Sequence, residues 1–483
     1  LGADLSIDVC VIGAGIAGVT TAYLLARAGR HVAVLDDGIV GGGESGRTTA
    51  HLSSALDDRF HVLERLHGPE GARIAAASHQ AAIDWIEKTV REEQIDCAFE
   101  RLNGYLFVPP GESIEILRAE LEAARRAGFV EVEQLPRAPL TTFDTGPCLR
   151  FPGQGQFHPL AYINGLADAL APLGGRFYSE HVTGVEPGPP ARVSTTSGAT
   201  VTADVVVCAT NTPVIDWLVI HSKQAAYRTF AIAARVPASS VTRALYWDTA
   251  DPYHYVRLHG DVLIVGGEDH KTGQDDDSAD RFARLEHWTR ERFPIQDVEF
   301  QWSGQVMEPV DGLAYIGRNP GDRGHVFVAT GDSGQGMTHG TIAGVLISDL
   351  ILGRPNEWER LYDPSRKTLR SGGEYVRENL NVVKHYAEYL TPGEVHSEGE
   401  IGPGEGAVIR DRLKKLAVYR DDAGTLHRLS AVCPHLGCIV HWNSLERSWD
   451  CPCHGSRFAV DGHVLNGPAL SPLNAADFID GSR

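Results

Sequence analysis

Residues 8–29 read D-V-C-V-I-G-A-G-I-A-G-V-T-T-A-Y-L-L-A-R-A-G, a short apolar strand that breaks into three spaced glycines and resumes as an apolar helix. No other stretch of the 483-residue chain restricts the fold as tightly. Gly13 permits the tight turn that ends the strand, Gly15 lets the backbone approach a pyrophosphate, and Gly18 lets the helix pack on the strand. The start of the helix, Ile16–Ala28, then presents its positive end to negative charge. A second strand, Val32–Leu35, leads to Asp36, 23 residues after Gly13, where an acid accepts hydrogen bonds from ribose hydroxyls. Asp37 is the alternative ribose ligand. The pattern predicts a βαβ dinucleotide site and does not by itself separate FAD from NAD.

A second constraint lies near the other end. Of eight cysteines, Cys10, Cys97, Cys148 and Cys208 are scattered and read as small buried residues. The other four crowd into C-P-H-L-G-C (433–438) and C-P-C-H-G-S (451–456). This C-x-H and C-x-x-H pattern offers two thiolates, Cys433 and Cys451, and two imidazoles, His435 and His454. Such a donor set suits a mixed-ligand [2Fe–2S] cluster, with neutral imidazoles raising its potential. A structural zinc site uses similar ligands and stays open on spacing alone. Either reading implies a metal site in a reducing compartment, not a secreted disulfide framework.

The net charge of −19 makes nucleic acid an unsuitable partner. The longest apolar runs are short and contain Asp8 and Asp349, so no membrane span is predicted. Without a recognisable signal peptide the expected location is cytoplasmic.

Between the two sites, helices are predicted over Pro69–Gln94, Ser113–Ala127, Pro159–Leu173, Ser278–Phe293 and Thr341–Leu352, with a last one over residues 375–390. Leu102–Val108 and Val205–Thr210 read as strands. Phe230–Val236, Ala244–Trp247, Tyr253–His259 and Val262–Val265, separated by turn residues, predict an antiparallel sheet. Thr391-Pro392-Gly393 marks a boundary. The expected organisation is an FAD-binding domain of three segments (1–90, 150–225 and 305–390), a substrate domain (91–149 and 226–304) and a small all-β domain (391–483). The fold class is α/β (α+β): a Rossmann-like domain, an antiparallel-sheet substrate domain and the small all-β unit.

Roughly residues 1–365 resemble the D-amino-acid oxidase-like family of FAD-dependent oxidoreductases. The likeness rests on the glycine motif and on three further stretches: Gly43-Glu44-Ser45-Gly46-Arg47-Thr48-Thr49-Ala50-His51; Cys208-Ala209-Thr210-Asn211; and Pro309–Gly317 with Thr330–Gly340. It implies FAD as cofactor, contacted by Arg47, Thr48, Thr49, Ala209 and Thr210, and by Gly331, Gly334, Gly336, Met337 and Thr338 in a glycine-rich cap. No second glycine motif for NAD(P) follows. Residues 395–475 resemble the Rieske proteins of quinol–cytochrome complexes. That resemblance implies a disulfide between Cys438 and Cys453 clamping the ligand loops, a covering loop at Gly467-Pro468, and a Ser456 hydroxyl bonded to a cluster sulfur. The tyrosine usual two positions later is Phe458 here, so the potential is expected to be lower.

The first resemblance also implies a small amine or amino acid as substrate. Tyr253, Tyr255 and Arg257 alternate onto one strand face, where an arginine could grip a carboxylate. His51 and His339 sit in the flavin-adjacent motifs, and His270 follows Gly266-Gly267. The expected activity is oxidation at a C–N bond, with electrons passing from FAD to the cluster and through its exposed histidines to an external one-electron carrier. The fused cluster argues against a plain oxidase, which needs no one-electron exit. Reversed flow and a non-catalytic redox sensor are the alternatives. A solvent-connected cavity over the flavin would speak against the sensor.

Overall fold

The computed structural model describes residues 1–215, 220–274, 278–321, 324–367, 385–412 and 414–476. Leu5–Ile12 lies at the centre of an eight-stranded sheet, pairing in parallel with Thr200–Cys208 on one side and Val32–Asp36 on the other. Its apolar run is continuous because both faces are covered. Val9 and Val11 join one core with Val19 and Tyr23 of the helix Ile16–Arg27, while Cys10 and Ile12 join another with Val193 and Val201. The helix Gly336–Ile351 lies against the first one. A Cβ at Gly340 would meet the Ile16 side chain at 2.5 Å, so the helices approach as closely as glycine allows.

The second sheet runs in the order Val298–Pro309, Gln224–Arg235, Val262–Lys271, His254–His259, Leu245–Asp248, Glu100–Phe107, Cys148–Gln156, His51–Leu52. All neighbours are antiparallel except Leu245–Asp248 beside Glu100–Phe107. Alternation along Gln224–Arg235 sends Phe230 and Ile232 into a core with Phe282 and Leu285 of the helix Ser278–Arg292. Thr229 and Ala231 face the other way, into a cavity. The expected boundaries at 150, 225 and 305 fall inside strands of this sheet. The helix expected from Pro69 is continuous in the chain from Phe60 to Glu92 but breaks at Gly68, φ +77°, where Pro69 starts the second segment.

The C-terminal unit has a three-stranded and a four-stranded sheet, and Trp442, Trp449 and Phe458 pack with Cys433 and Cys451 in its core. Of the helix expected over residues 375–390, residues 375–384 lie outside the described residues, and Ala387–Leu390 forms a single 3₁₀ turn. Among the described residues no helix is long and apolar enough to cross a membrane.

Candidate active site and cluster-binding loops

A cavity of about 1130 Å³ lies between the first sheet's strand ends and the second sheet. It exceeds the roughly 300–1,000 Å³ common for small-molecule sites, enough for a large cofactor and a substrate together. Gly13, φ +103°, turns under Ala209, and a Cβ at Gly15 would meet Ser45 Oγ at 2.8 Å. Gly18 packs on Gly13, the helix-on-strand role, and lies behind the wall. Asp36 accepts from the Ala14 and Gly38 amides at 2.7 and 2.8 Å, and Asp37 pairs with His181 at 2.7 Å. Burial raises the Asp36 carboxyl, whereas the His181 hydrogen bond holds that of Asp37 down. Arg47, Thr48, Thr49, Ala209, Thr210, Gly334, Gly336 and Met337 line the cavity as well.

Gly331 and Thr338 do not line it. Gly331 turns beneath Pro309 and Gln224, and Thr338 faces inward from its helix to bond His79 at 2.8 Å. The residues present fit FAD. The glycine turn at the helix start leaves room only for backbone, and the cavity-lining residues Asn211 and Trp247 carry buried donors, Nδ2 and Nε1, with no hydrogen-bond partner among the described residues.

Tyr253 and Tyr255 form part of the second-sheet wall, their rings 5.5 Å apart. His51 also lines the cavity, edge-on to Tyr255 at 5.4 Å. Burial, with Arg257 close by, pushes the His51 imidazole down to about 3, and burial pushes that of His339 down to about 4. Both are therefore neutral. His339 lines the cavity with its nitrogens engaged by the Asp332 carbonyl and by His79.

Two expectations are corrected. Arg257 does not reach the cavity; it is buried behind His51, with Nε bonded to the Thr49 carbonyl. Three residues on one strand face span two repeats, and the cavity ends after the second. His270 projects from the opposite face, stacked on Phe230 at 5.5 Å.

Several residues in this region carried no sequence signal. Asp57 lines the cavity below the cap, 3.4 Å from the Tyr253 hydroxyl, and burial raises its carboxyl. Behind it, Ser333 Oγ lies 2.6 Å from Asp58 and 2.9 Å from Glu308. One hydroxyl proton cannot serve both carboxylates, and burial pushes Asp58 up to about 7 and Glu308 well above its usual range.

In the C-terminal unit the two ligand loops converge. Cys433 and Cys451 are buried, unbridged thiols. The rings of His435 and His454 lie 5.0 Å apart, and His454 Nδ1 is buried without a hydrogen-bond partner among the described residues. Two thiols and two imidazoles brought together this way fit a [2Fe–2S] cluster. Cys438 and Cys453 form the disulfide between the loops, with Cα atoms 6.4 Å apart. The Ser456 hydroxyl faces Cys433 and accepts from the Ala469 amide at 3.1 Å.

The ligand loops are pressed against the flavin half. Gln305, in the cavity wall, donates from Nε2 to the Gly455 carbonyl at 3.0 Å, and Asn466 donates to Glu44 at 3.0 Å. The covering loop has one face toward the cluster site and the other in the cavity, where Gly467, Ala469 and Leu470 line it. Arg228, 1% exposed, bonds Glu446, which also pairs with Arg457. The cluster histidines are thus less exposed than expected: His454 is 7% exposed, His435 is half-buried with its Nε2 covered, and His221 of the flavin half packs against both rings.

The chain is an FAD-dependent oxidoreductase carrying a Rieske domain. It belongs to the FAD dependent oxidoreductase family, whose model matches residues 8–350, and the Rieske [2Fe-2S] domain model matches residues 391–477. FAD and a [2Fe–2S] cluster are its cofactors. YhfW of Bacillus subtilis (strain 168), which carries the name of a Rieske 2Fe-2S iron-sulfur protein, is 32% identical over 482 residues, 98% of this chain and 94% of the relative. The gamma-glutamylputrescine oxidoreductase of Escherichia coli (strain K12) is 27% identical over 394 residues, 77% of this chain and 91% of the relative. In fold, residues amounting to 75% of the chain superpose on 99% of a glycine oxidase from Geobacillus kaustophilus, with TM-score 0.63 and 21% identity.

Proposed function

We propose that the chain oxidises a small amine or amino acid at a C–N bond and that the electrons leave through the cluster to an external one-electron carrier. The observation that carries this reading is the covering loop, which lines the cavity at Ala469 while its amide bonds the Ser456 hydroxyl that faces Cys433. One thickness of chain separates the two cofactor sites, which suits transfer within the molecule. When bound, FAD supplies a two-electron acceptor and the cluster a one-electron exit.

The chain's own residues supply placement. The Gly13–Gly15 turn and the amides at the start of the helix hold the pyrophosphate. Asp36 serves the ribose. Cys433, His435, Cys451 and His454 hold the iron. Asp57, in the cavity wall 3.4 Å from the Tyr253 hydroxyl and with the Arg59 cation nearby, offers its carboxylate to the N–H groups of an amine. Tyr253 and Tyr255, both kept protonated by burial, close the same wall and exclude water. Neutral His51 adds no positive charge to repel a protonated amine. The size of the cavity favours an enzyme over a redox sensor.

Anaerobic titration with a panel of amines and amino acids tests the reading, following flavin absorbance and the electron paramagnetic resonance (EPR) signal of the reduced cluster. One compound should bleach the flavin, and the cluster signal should then appear. A panel that leaves the flavin oxidised, while a reduced ferredoxin fills first the cluster and then the flavin, would reverse the direction.

A further inference from the structure

His221 belongs to a 3₁₀ turn, His221–Lys223, that leads into the strand Gln224–Arg235 of the second sheet. Its ring is 3% exposed and meets His435 at 4.9 Å and His454 at 5.9 Å, edge-on to both. Three imidazoles from two halves of the chain therefore form one packed group. Ala226, on the following strand, lies where a Cβ on Gly455 would stand, so the second ligand loop has no slack against the sheet. At Gly273 a Cβ would meet the Asp450 carbonyl at 2.8 Å and the Pro452 nitrogen at 2.9 Å, which closes the loop's other flank. The buried Arg228–Glu446–Arg457 chain fixes the same contact at its edge.

We propose that His221 is a positioning residue that closes the histidine edge of the cluster onto the flavin half, making that edge an internal electron port that an outside carrier cannot reach. The inference rests on the proposed transfer between cofactors for its purpose, but the closure itself is a property of the packing. An imidazole is a suitable filler because it is flat and packs edge-on against two rings at once. A carrier that takes electrons from the cluster meets the Rieske domain on another face.

The closure is read without turnover. Diethyl pyrocarbonate acylates accessible imidazole nitrogens, and peptide mass spectrometry of the intact holoenzyme locates them. His31 and His287, with side chains 79% and 77% exposed, serve as internal references. His435 and His454 should be acylated at least tenfold more slowly than these references in the parent. In His221→Ala they should approach the reference rate while the cluster EPR intensity stays at the parent level. His221→Phe, which restores a ring, should restore protection. If the alanine protein loses the cluster signal, His221→Val takes its place. Acylation of His435 and His454 in the parent at the reference rate overturns the proposal, and so does unchanged protection in His221→Ala or His221→Val. Failure of the substrate titration with protection intact would instead count against the electron route and leave the closure standing.

Discussion

Gln305 Nε2 donates to the carbonyl oxygen of Gly455 at 3.0 Å, linking the cavity wall to the residue that follows the cluster ligand His454. A neutral hydrogen bond of this kind is worth about 1 kcal/mol, roughly a fivefold change in an equilibrium. Gln305→Ala should therefore slow cluster reduction about fivefold and leave flavin bleaching by substrate unchanged, as measured by stopped-flow absorbance with freeze-quench EPR.

Arg228→Met removes the buried cation that meets Glu446. Breaking a buried pair by deleting one partner costs about 3–5 kcal/mol. Arg457 still faces Glu446, so the loss should lie toward the lower figure. Denaturant unfolding followed by cluster absorbance checks this. A cost below 1 kcal/mol would mean that the contact does not hold the Rieske domain in place.

The first site was legible because its signals are local. Strand, three glycines, helix and Asp36 are consecutive, and each ligand loop carries its own pair of donors. Arg257 and His270 were misplaced because period-2 alternation gives a face but not how far the cavity extends along it. Phe230 claims the side of the sheet on which His270 lies. Thr338 follows Met337 in sequence, but the helical repeat turns it away from the cavity toward His79. Asp57, Gln305 and His221 owe their positions to contacts between distant segments, and no spacing announces them.

Phe458 is buried in the cluster-side core and lacks a hydroxyl. Phe458→Tyr would add a donor, and a hydrogen bond that strengthens by about 1 kcal/mol on reduction raises a one-electron potential by about 40 mV. Redox titration monitored by EPR should show a rise of this order. An unchanged or lower potential would mean that the added hydroxyl does not reach a cluster sulfur.

Asp57 is the proposed anchor for the substrate nitrogen. A charge-assisted hydrogen bond is worth about 1.5–3 kcal/mol, so Asp57→Asn should lower kcat/KM for an amine roughly 10–100-fold. Flavin content at the parent level would exclude a folding defect. An unchanged kcat/KM would remove Asp57 from the site.

Asp58 has a carboxyl raised to about 7 by burial, with Ser333 opposing and Asp57 adding to the shift. The folded protein then binds a proton that the unfolded chain releases above about 4, so this group makes stability fall as pH rises from about 4 to 7. Asp58→Asn should be more stable than the parent at pH 8, with the difference shrinking toward pH 5. Thermal unfolding at the two pH values checks the sign. A variant less stable at pH 8 would mean that the ionised carboxylate is held by a favourable partner.

The central claim is that electrons cross between the flavin and the cluster inside one molecule. Rapid mixing of the oxidised protein with a reducing substrate, over a tenfold range of protein concentration, tests it most directly. Flavin bleaching should precede the cluster signal, and the rate of cluster reduction should not change with protein concentration. A rate that rises in proportion to concentration would place the transfer between molecules and contradict the account.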